Sequence, residues 1–138
     1  MTNRIFATLS SLALLTAAAA FAQTNATLQA DIPFTFRVGT TTLPPGHYTV
    51  QPHVAAGVVA IRCSECKSGV MIQTIGVDTG KIQRKATLVF NRYHDTYFLS
   101  RVWTPGYSQG RELRQSRAER EMALNGSQPE TAVVVGRR

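Results

Sequence analysis

Acidic residues, cysteines and indoles are all scarce in this chain: 138 residues carry 8 acidic against 15 basic side chains, two cysteines and one tryptophan. Two cysteines cannot build the multi-bridge framework that lets a small secreted domain do without a large core, so the fold must rest on apolar burial. The sequence has no H-E-x-x-H and no glycine-rich phosphate loop, which removes the chemistry of a zinc protease and of a P-loop nucleotide enzyme. Beyond residue 22 no apolar run is long enough for a membrane-spanning helix. An outer-membrane barrel is not expected either, because the last residues are Arg137-Arg138 rather than an aromatic and several strand candidates are too short to span.

What is present begins with residues 1–22, which have the three parts of a secretory signal peptide. Arg4 is the lone positive charge, Ile5 to Phe21 is the apolar stretch, and Ala20-Phe21-Ala22 is a small-x-small cleavage site. The segment is alanine-rich and is followed by polar Gln23-Thr24-Asn25, not by a basic stop-transfer patch. Export to the periplasm or the extracellular space is therefore expected. Cleavage leaves the 138 residues less the first 22, enough for one domain with a single core. Only Arg4 of the charged residues is lost, so the net charge falls from +7 to +6. An intracellular protein this basic would point to nucleic acid. An exported one meets anionic lipid headgroups, lipopolysaccharide or acidic polysaccharide, or uses its charge for solubility alone. The expected partner is an anionic envelope component or another protein, and no nucleic acid.

Period-two patterning runs through most of the remaining chain. Leu28, Ala30, Ile32, Phe34, Phe36 and Val38 alternate with Gln29, Asp31, Pro33, Thr35 and Arg37, which predicts a strand with one buried face; Pro33 makes it an edge strand or a bulged one. Leu43-Pro44-Pro45-Gly46 is a turn before His47-Tyr48-Thr49-Val50, and the two segments make a hairpin. Further strands are expected at Val58 to Arg62, Val70 to Ile75, Ala86 to Arg92 and Tyr97 to Trp103. The last two form a hairpin about His94-Asp95 that pairs Phe90 with Leu99 and Ala86 with Trp103 on the core face. Val89 and Phe98 lie beside Asn91 and Ser100 on the opposite face, which needs a cover from a second sheet or the C-terminal helix.

Ser116-Arg117-Ala118-Glu119 is a capping box, with the Ser116 hydroxyl on the Glu119 amide and the Glu119 carboxylate returning to the Ser116 amide. A helix should run from there to about Leu124, docked by Ala118 and Met122, and end at Asn125-Gly126. The fold class is thus mainly β, an antiparallel sandwich or small open barrel with one short C-terminal helix after the signal peptide. It divides into 1–22, a β-domain over 23–125, and 126–138 as a flexible basic-ended tail, even though Thr131 to Val135 has strand composition.

Cys63-Ser64-Glu65-Cys66 admits three readings: a redox-active dithiol, half of a metal site, or a structural disulfide across a turn. Flanking Ile61-Arg62 and Lys67-Ser68-Gly69 look like a hairpin, not like the helix N-terminus that activates a catalytic pair, though Arg62 and Lys67 would favour a thiolate. A zinc site would have to recruit His47, His53 and His94, none at paired spacing. An oxidising exterior favours the structural disulfide, one whose short loop yields well below the usual ~2–4 kcal/mol. No metal or other cofactor is assigned.

His94-Asp95 has turn chemistry rather than that of a catalytic dyad, and no catalytic residue is assigned. Arg111, Arg114, Arg117 and Arg120 recur every third residue and are candidate anion-binding groups if the stretch is helical throughout. The plainer reading is a solvated face with local pairs such as Arg117 with Glu121. Tyr48, Phe90 and Trp103 are candidate ligand-lining residues of a barrel cavity, or core.

Ile32-Pro33-Phe34-Thr35-Phe36-Arg37-Val38-Gly39, Leu43-Pro44-Pro45-Gly46-His47-Tyr48-Thr49-Val50, the stretch Leu88 to Trp103 and the stretch Gly110 to Glu121 together resemble a family of small exported proteins abundant in acidobacteria. The resemblance covers most of the chain after residue 22. It implies a bacterial exported β-domain and supplies no catalytic residue, and the CxxC is outside its pattern. Three functions are carried forward: a non-enzymatic envelope or secreted binding domain, a carrier of a small apolar ligand, and a thiol-disulfide oxidoreductase acting through Cys63 and Cys66.

Overall fold

The structure, a computed structural model, describes residues 26–138, so the expected signal peptide lies outside the described residues. Ten strands and one helix follow in chain order: β1 Leu28–Ile32, β2 Phe36–Val38, β3 Thr41–Leu43, β4 Gly46–Ala55, β5 Val58–Cys63, β6 Gly69–Asp78, β7 Thr87–Tyr93, β8 Thr96–Trp103, β9 Gln109–Leu113, α1 Arg117–Leu124 and β10 Glu130–Val135. They form one curved, mainly antiparallel sheet whose path is β1-β4-β5-β6-β9-β8-β2-β3, with β7 on β8 and β10 on β7. One edge of β8 is taken by β7 along its length; the other is shared by β9 at Arg101 to Trp103 and, in parallel, by β2 at Tyr97 and Phe98. The two ends approach at a single bridge, where Gln29 and Arg137 exchange two backbone bonds of 2.8 Å. One bridge is not a ladder, and the sheet is not closed into a barrel.

The long alternating segment is cut in two by Pro33. Proline has no N–H to give a ladder, and the chain leaves the β4 side after Ile32 and re-forms as β2 beside β8. Alternation survives the break, since Leu28, Ala30, Ile32, Phe36 and Val38 are all buried. The hairpin expected with the 47–50 segment exists as β1 on β4, with Leu28 opposite Val50 and Ile32 opposite Gly46, and the small β2–β3 hairpin is inserted between them. The crossing segment fills the core with rings: Phe34 stacks on Tyr97 at 3.8 Å and meets Phe90 edge-on at 5.0 Å, and Phe36 meets Phe90 at 5.5 Å and Tyr48 at 5.0 Å. Such pairs add about 0.5–1.5 kcal/mol each beyond their burial.

Two expectations are corrected. Phe90 does pair with Leu99, but a bulge leaves Ser100 without a partner, so Trp103 pairs with Thr87 instead of Ala86 and sits on the outer face. There it lies against Gly110, where a Cβ would come within 2.6 Å of its Cζ3. Residues 130–135 are not tail. Strand β10 pairs with β7 from Glu130–Arg92 to Val135–Thr87, and Ala132 and Val134 pack on the core. The signal was the composition of Thr131 to Val135 itself, whose alternate residues cover a β7 edge that would otherwise expose Leu88 and Phe90.

Ending the chain at Gln128 should therefore lower the unfolding free energy by at least about 2 kcal/mol, from the apolar area uncovered. Urea denaturation measures this, and a flexible tail would leave the midpoint where it was.

Candidate functional site

On the outer face, the strands that form the pocket wall are set by register. Cross-strand pairing aligns Val133, Val89, Arg101, Glu112 and Ile75 in one row over β10, β7, β8, β9 and β6. Arg101 and Glu112 hold each other at 3.6 Å in the middle of that row. The segment that leaves β9 and enters α1 rises over one side. The result is a pocket of about 340 Å³ lined by Asn91, Ser100, Arg114 and Gln115, with Val89 and Ile75 on either side of the Arg101–Glu112 pair.

Glu119 closes the pocket from the helix. It is 4% exposed and is the buried residue of α1. The expected capping box is half formed: Ser116 Oγ accepts from the Glu119 amide at 3.2 Å, but the carboxylate turns into the sheet, where Oε1 accepts from Asn91 Nδ2 at 2.9 Å and from the Tyr93 hydroxyl at 3.3 Å. The helix thus docks through a polar anchor; Ala118 and Met122 stay only half-buried. Tyr93 is itself buried edge-on to Phe98 at 5.8 Å. Burial pushes its hydroxyl above the ordinary tyrosine value, and the Glu119 charge and bond push it further.

The arginine series does not form a ridge. Arg111 lies in β9 and is committed to a clamp, its Nε on Thr74 Oγ1 and its Nη2 on the Thr74 carbonyl, both 2.8 Å, while Thr74 Oγ1 donates to the Gly57 carbonyl at 2.7 Å. Arg114 is exposed at the pocket rim. Arg117 pairs with Glu121 at 3.0 Å across one helical turn, and Arg120 is exposed on α1. Every-third spacing spans a strand, a loop and a helix, so it places the four groups on different surfaces.

The ring candidates separate in the same way. Tyr48 and Phe90 are fully buried and share Phe36 as a neighbour, with the Tyr48 hydroxyl donating to the Pro44 carbonyl; Trp103 is on the other face. Cys63 and Cys66 form a disulfide, and the Cys66 amide donates to Cys63 Sγ at 3.1 Å. His47 bonds Asp31, which holds that carboxyl below its ordinary value, His53 is exposed on β4, and His94 Nε2 lies 3.1 Å from Ser127 Oγ. Among the described residues no group of three or more His, Cys, Asp or Glu side chains is placed to hold a metal ion, and no helix is long and apolar enough to cross a membrane.

Gly106-Tyr107-Ser108-Gln109-Gly110 has the G-x-S-x-G spacing of a nucleophile elbow. It lies in the connection from β8 to β9, however, and not in a strand-to-helix turn. The described histidine bonds go to Asp31 and Ser127, not to Ser108. Spacing alone therefore builds no triad here.

Glu119→Ala leaves Asn91 and Tyr93 without their acceptor and should cost roughly 2–4 kcal/mol, read by urea denaturation. Glu119→Gln should bring the Tyr93 hydroxyl down in a spectrophotometric titration, yet leave it above the ordinary value, because burial is the larger cause.

No family model matches this chain, and neither a curated protein nor a solved structure matches it.

Proposed function

We propose that this is an exported, non-enzymatic binding domain of the bacterial envelope or exterior, and that its outer-face pocket receives one hydroxyl-rich unit of an envelope polysaccharide. The observation that carries this reading is the pocket's lining. Guanidinium, amide, hydroxyl and carboxylate groups line it together with the aliphatic side chains of Ile75 and Val89. A sugar ring offers a matching mixture, with hydroxyls at its edge and C–H bonds on its face. At about 340 Å³ the pocket is at the small end for ligand sites, which suits a single ring. Arg114 also suits an anionic unit, because its guanidinium is not engaged in any of the described ion pairs.

Titration calorimetry with purified envelope polysaccharide fragments tests the reading. Arg114 and Gln115 are exposed at the rim, so Arg114→Ala with Gln115→Ala should spare the fold and weaken binding about tenfold or more, at ~1 kcal/mol per lost hydrogen bond. No heat of binding in the parent, or equal affinity in the double variant, would end it.

The bond from the Cys66 amide to Cys63 Sγ supports a second reading, thiol-disulfide exchange. In the reduced protein that amide, with exposed Arg62 and Lys67 on either side, would stabilise a Cys63 thiolate. Thiol trapping across a redox buffer series decides it. A reduction potential near about −120 to −200 mV fits an oxidant, and one below about −300 mV a structural bridge.

A further inference from the structure

Two loops at one end of the sheet are bound to each other. The connection from β6 to β7, residues 79–86, lies against the connection from β8 to β9, residues 104–108. Thr79 N donates to the Ser108 carbonyl at 3.2 Å, Gln83 N to the Tyr107 carbonyl at 2.9 Å, and Gly106 N to the Gln83 carbonyl at 2.8 Å. Side chains add to the lock: Gln83 Nε2 reaches Thr79 Oγ1 and the Lys81 carbonyl, both at 3.1 Å. This is a braced double loop, and it displays two large apolar side chains. Ile82 is 70% exposed and Tyr107 50% exposed. The Gln83–Tyr107 bond places these two apolar side chains on neighbouring backbone.

Positive charge predominates around them. Lys81, Arg84 and Lys85 are exposed, and none takes part in the ion pairs of the described residues, which join His47 to Asp31, Arg92 to Glu130, Arg101 to Glu112 and Arg117 to Glu121. The nearest acid in the chain, Asp78, is turned onto the Gly80 amide at 2.7 Å. An aliphatic residue and a tyrosine at a loop tip, ringed by unpaired cations, have the chemistry of a membrane-interface anchor: the apolar groups enter the headgroup boundary, tyrosine keeps its hydroxyl in water, and lysine and arginine reach phosphates. Two side chains fall far short of the roughly 800 Å² per partner that a stable protein interface buries, whereas a leaflet accepts shallow insertion.

We infer that the double loop carrying Ile82 and Tyr107 docks this protein onto a bilayer surface rich in anionic phospholipid, with Lys81, Arg84 and Lys85 supplying the attraction. This site is separate from the outer-face pocket, and its success or failure leaves the glycan reading untouched.

The test uses the full chain with Ile82→Cys carrying a nitrobenzoxadiazole label, the two native cysteines being bridged. Vesicles of phosphatidylcholine alone are compared with equal mixtures of phosphatidylcholine and phosphatidylglycerol. The label should brighten several-fold on the anionic vesicles only, and less so in 0.5 M salt, where screening shortens to a few ångströms. Lys81→Gln, Arg84→Gln and Lys85→Gln together should weaken the partition about a hundredfold, at about fivefold per cation. A label that stays dark overturns the inference even if the chain sediments with vesicles, since attachment is then elsewhere, residues 1–22 included. Equal brightening on both vesicle types, or an unchanged triple variant, overturns it as well.

Discussion

The structure depends on one row of rings laid across its interior. Tyr97, Phe34, Phe90, Phe36 and Tyr48 touch in sequence, and they come from β8, the crossing segment, β7, β2 and β4 in turn. Each of Phe36, Tyr48 and Phe90 is at most 1% exposed. The row exists because Pro33 ends β1 and sends the next residues over the concave side of the sheet. Without that crossing, β2 could not reach the lower edge of β8, and the curved sheet would have no filling between its β1 and β8 walls. The sheet stays open, its two ends meeting only at the Gln29–Arg137 bridge.

Everything on the convex side follows from a second irregularity, the bulge at Ser100. One unpaired residue inverts the facing of β8 beyond it. Phe98 and Trp103 both end on the outer face, and Arg101 meets Glu112 there. An outer face with so much apolar area requires a cover, and the cover is polar in its grip. Glu119 leaves water to accept two bonds from β7, and a buried carboxylate held by two donors fixes the start of α1 more narrowly than an apolar stripe would. The pocket is the space left between that anchor and the Arg101–Glu112 pair.

Most strands were legible because alternation is a strong signal wherever one face is buried. The capped start of the helix was legible because Ser116 does what a cap does. Register and partnership are not legible, because local pattern does not encode them. A bulge inserts one residue without any composition to mark it, so alternation alone puts Trp103 on the core face and the bulge turns it outward. Val133 and Val135 remain more than half exposed, so β10 looks like a weak strand until the β7 edge it covers is known. Asn91, Ser100 and Arg101, Glu112, and Glu119 lie on four separate elements, and only the pairing of β7, β8 and β9 with the docking of α1 brings them to one pocket. Arg111 illustrates the reverse: a residue singled out for its charge is held by Thr74 and serves the joint between β6 and β9.

The distribution of cations is therefore more informative than their number. Some of the basic side chains are engaged inside the fold or with acids: Arg111 on Thr74, Arg101 on Glu112, Arg92 on Glu130, Arg117 on Glu121. Where the partner is an acid, the charge is largely cancelled at the distance of a ligand. A group of three without an acid partner, Lys81, Arg84 and Lys85, stands on a loop whose own hydrogen bonds keep it from collapsing onto the sheet. Long-range attraction depends on uncompensated charge and falls off within a Debye length, so a cluster of such cations on one loop concentrates it locally. The bulge, the crossing at Pro33 and the braced loops shape separate parts of the molecule: the core side supplies stability, the outer side a pocket, and one rim a cluster of three cations without an acid partner.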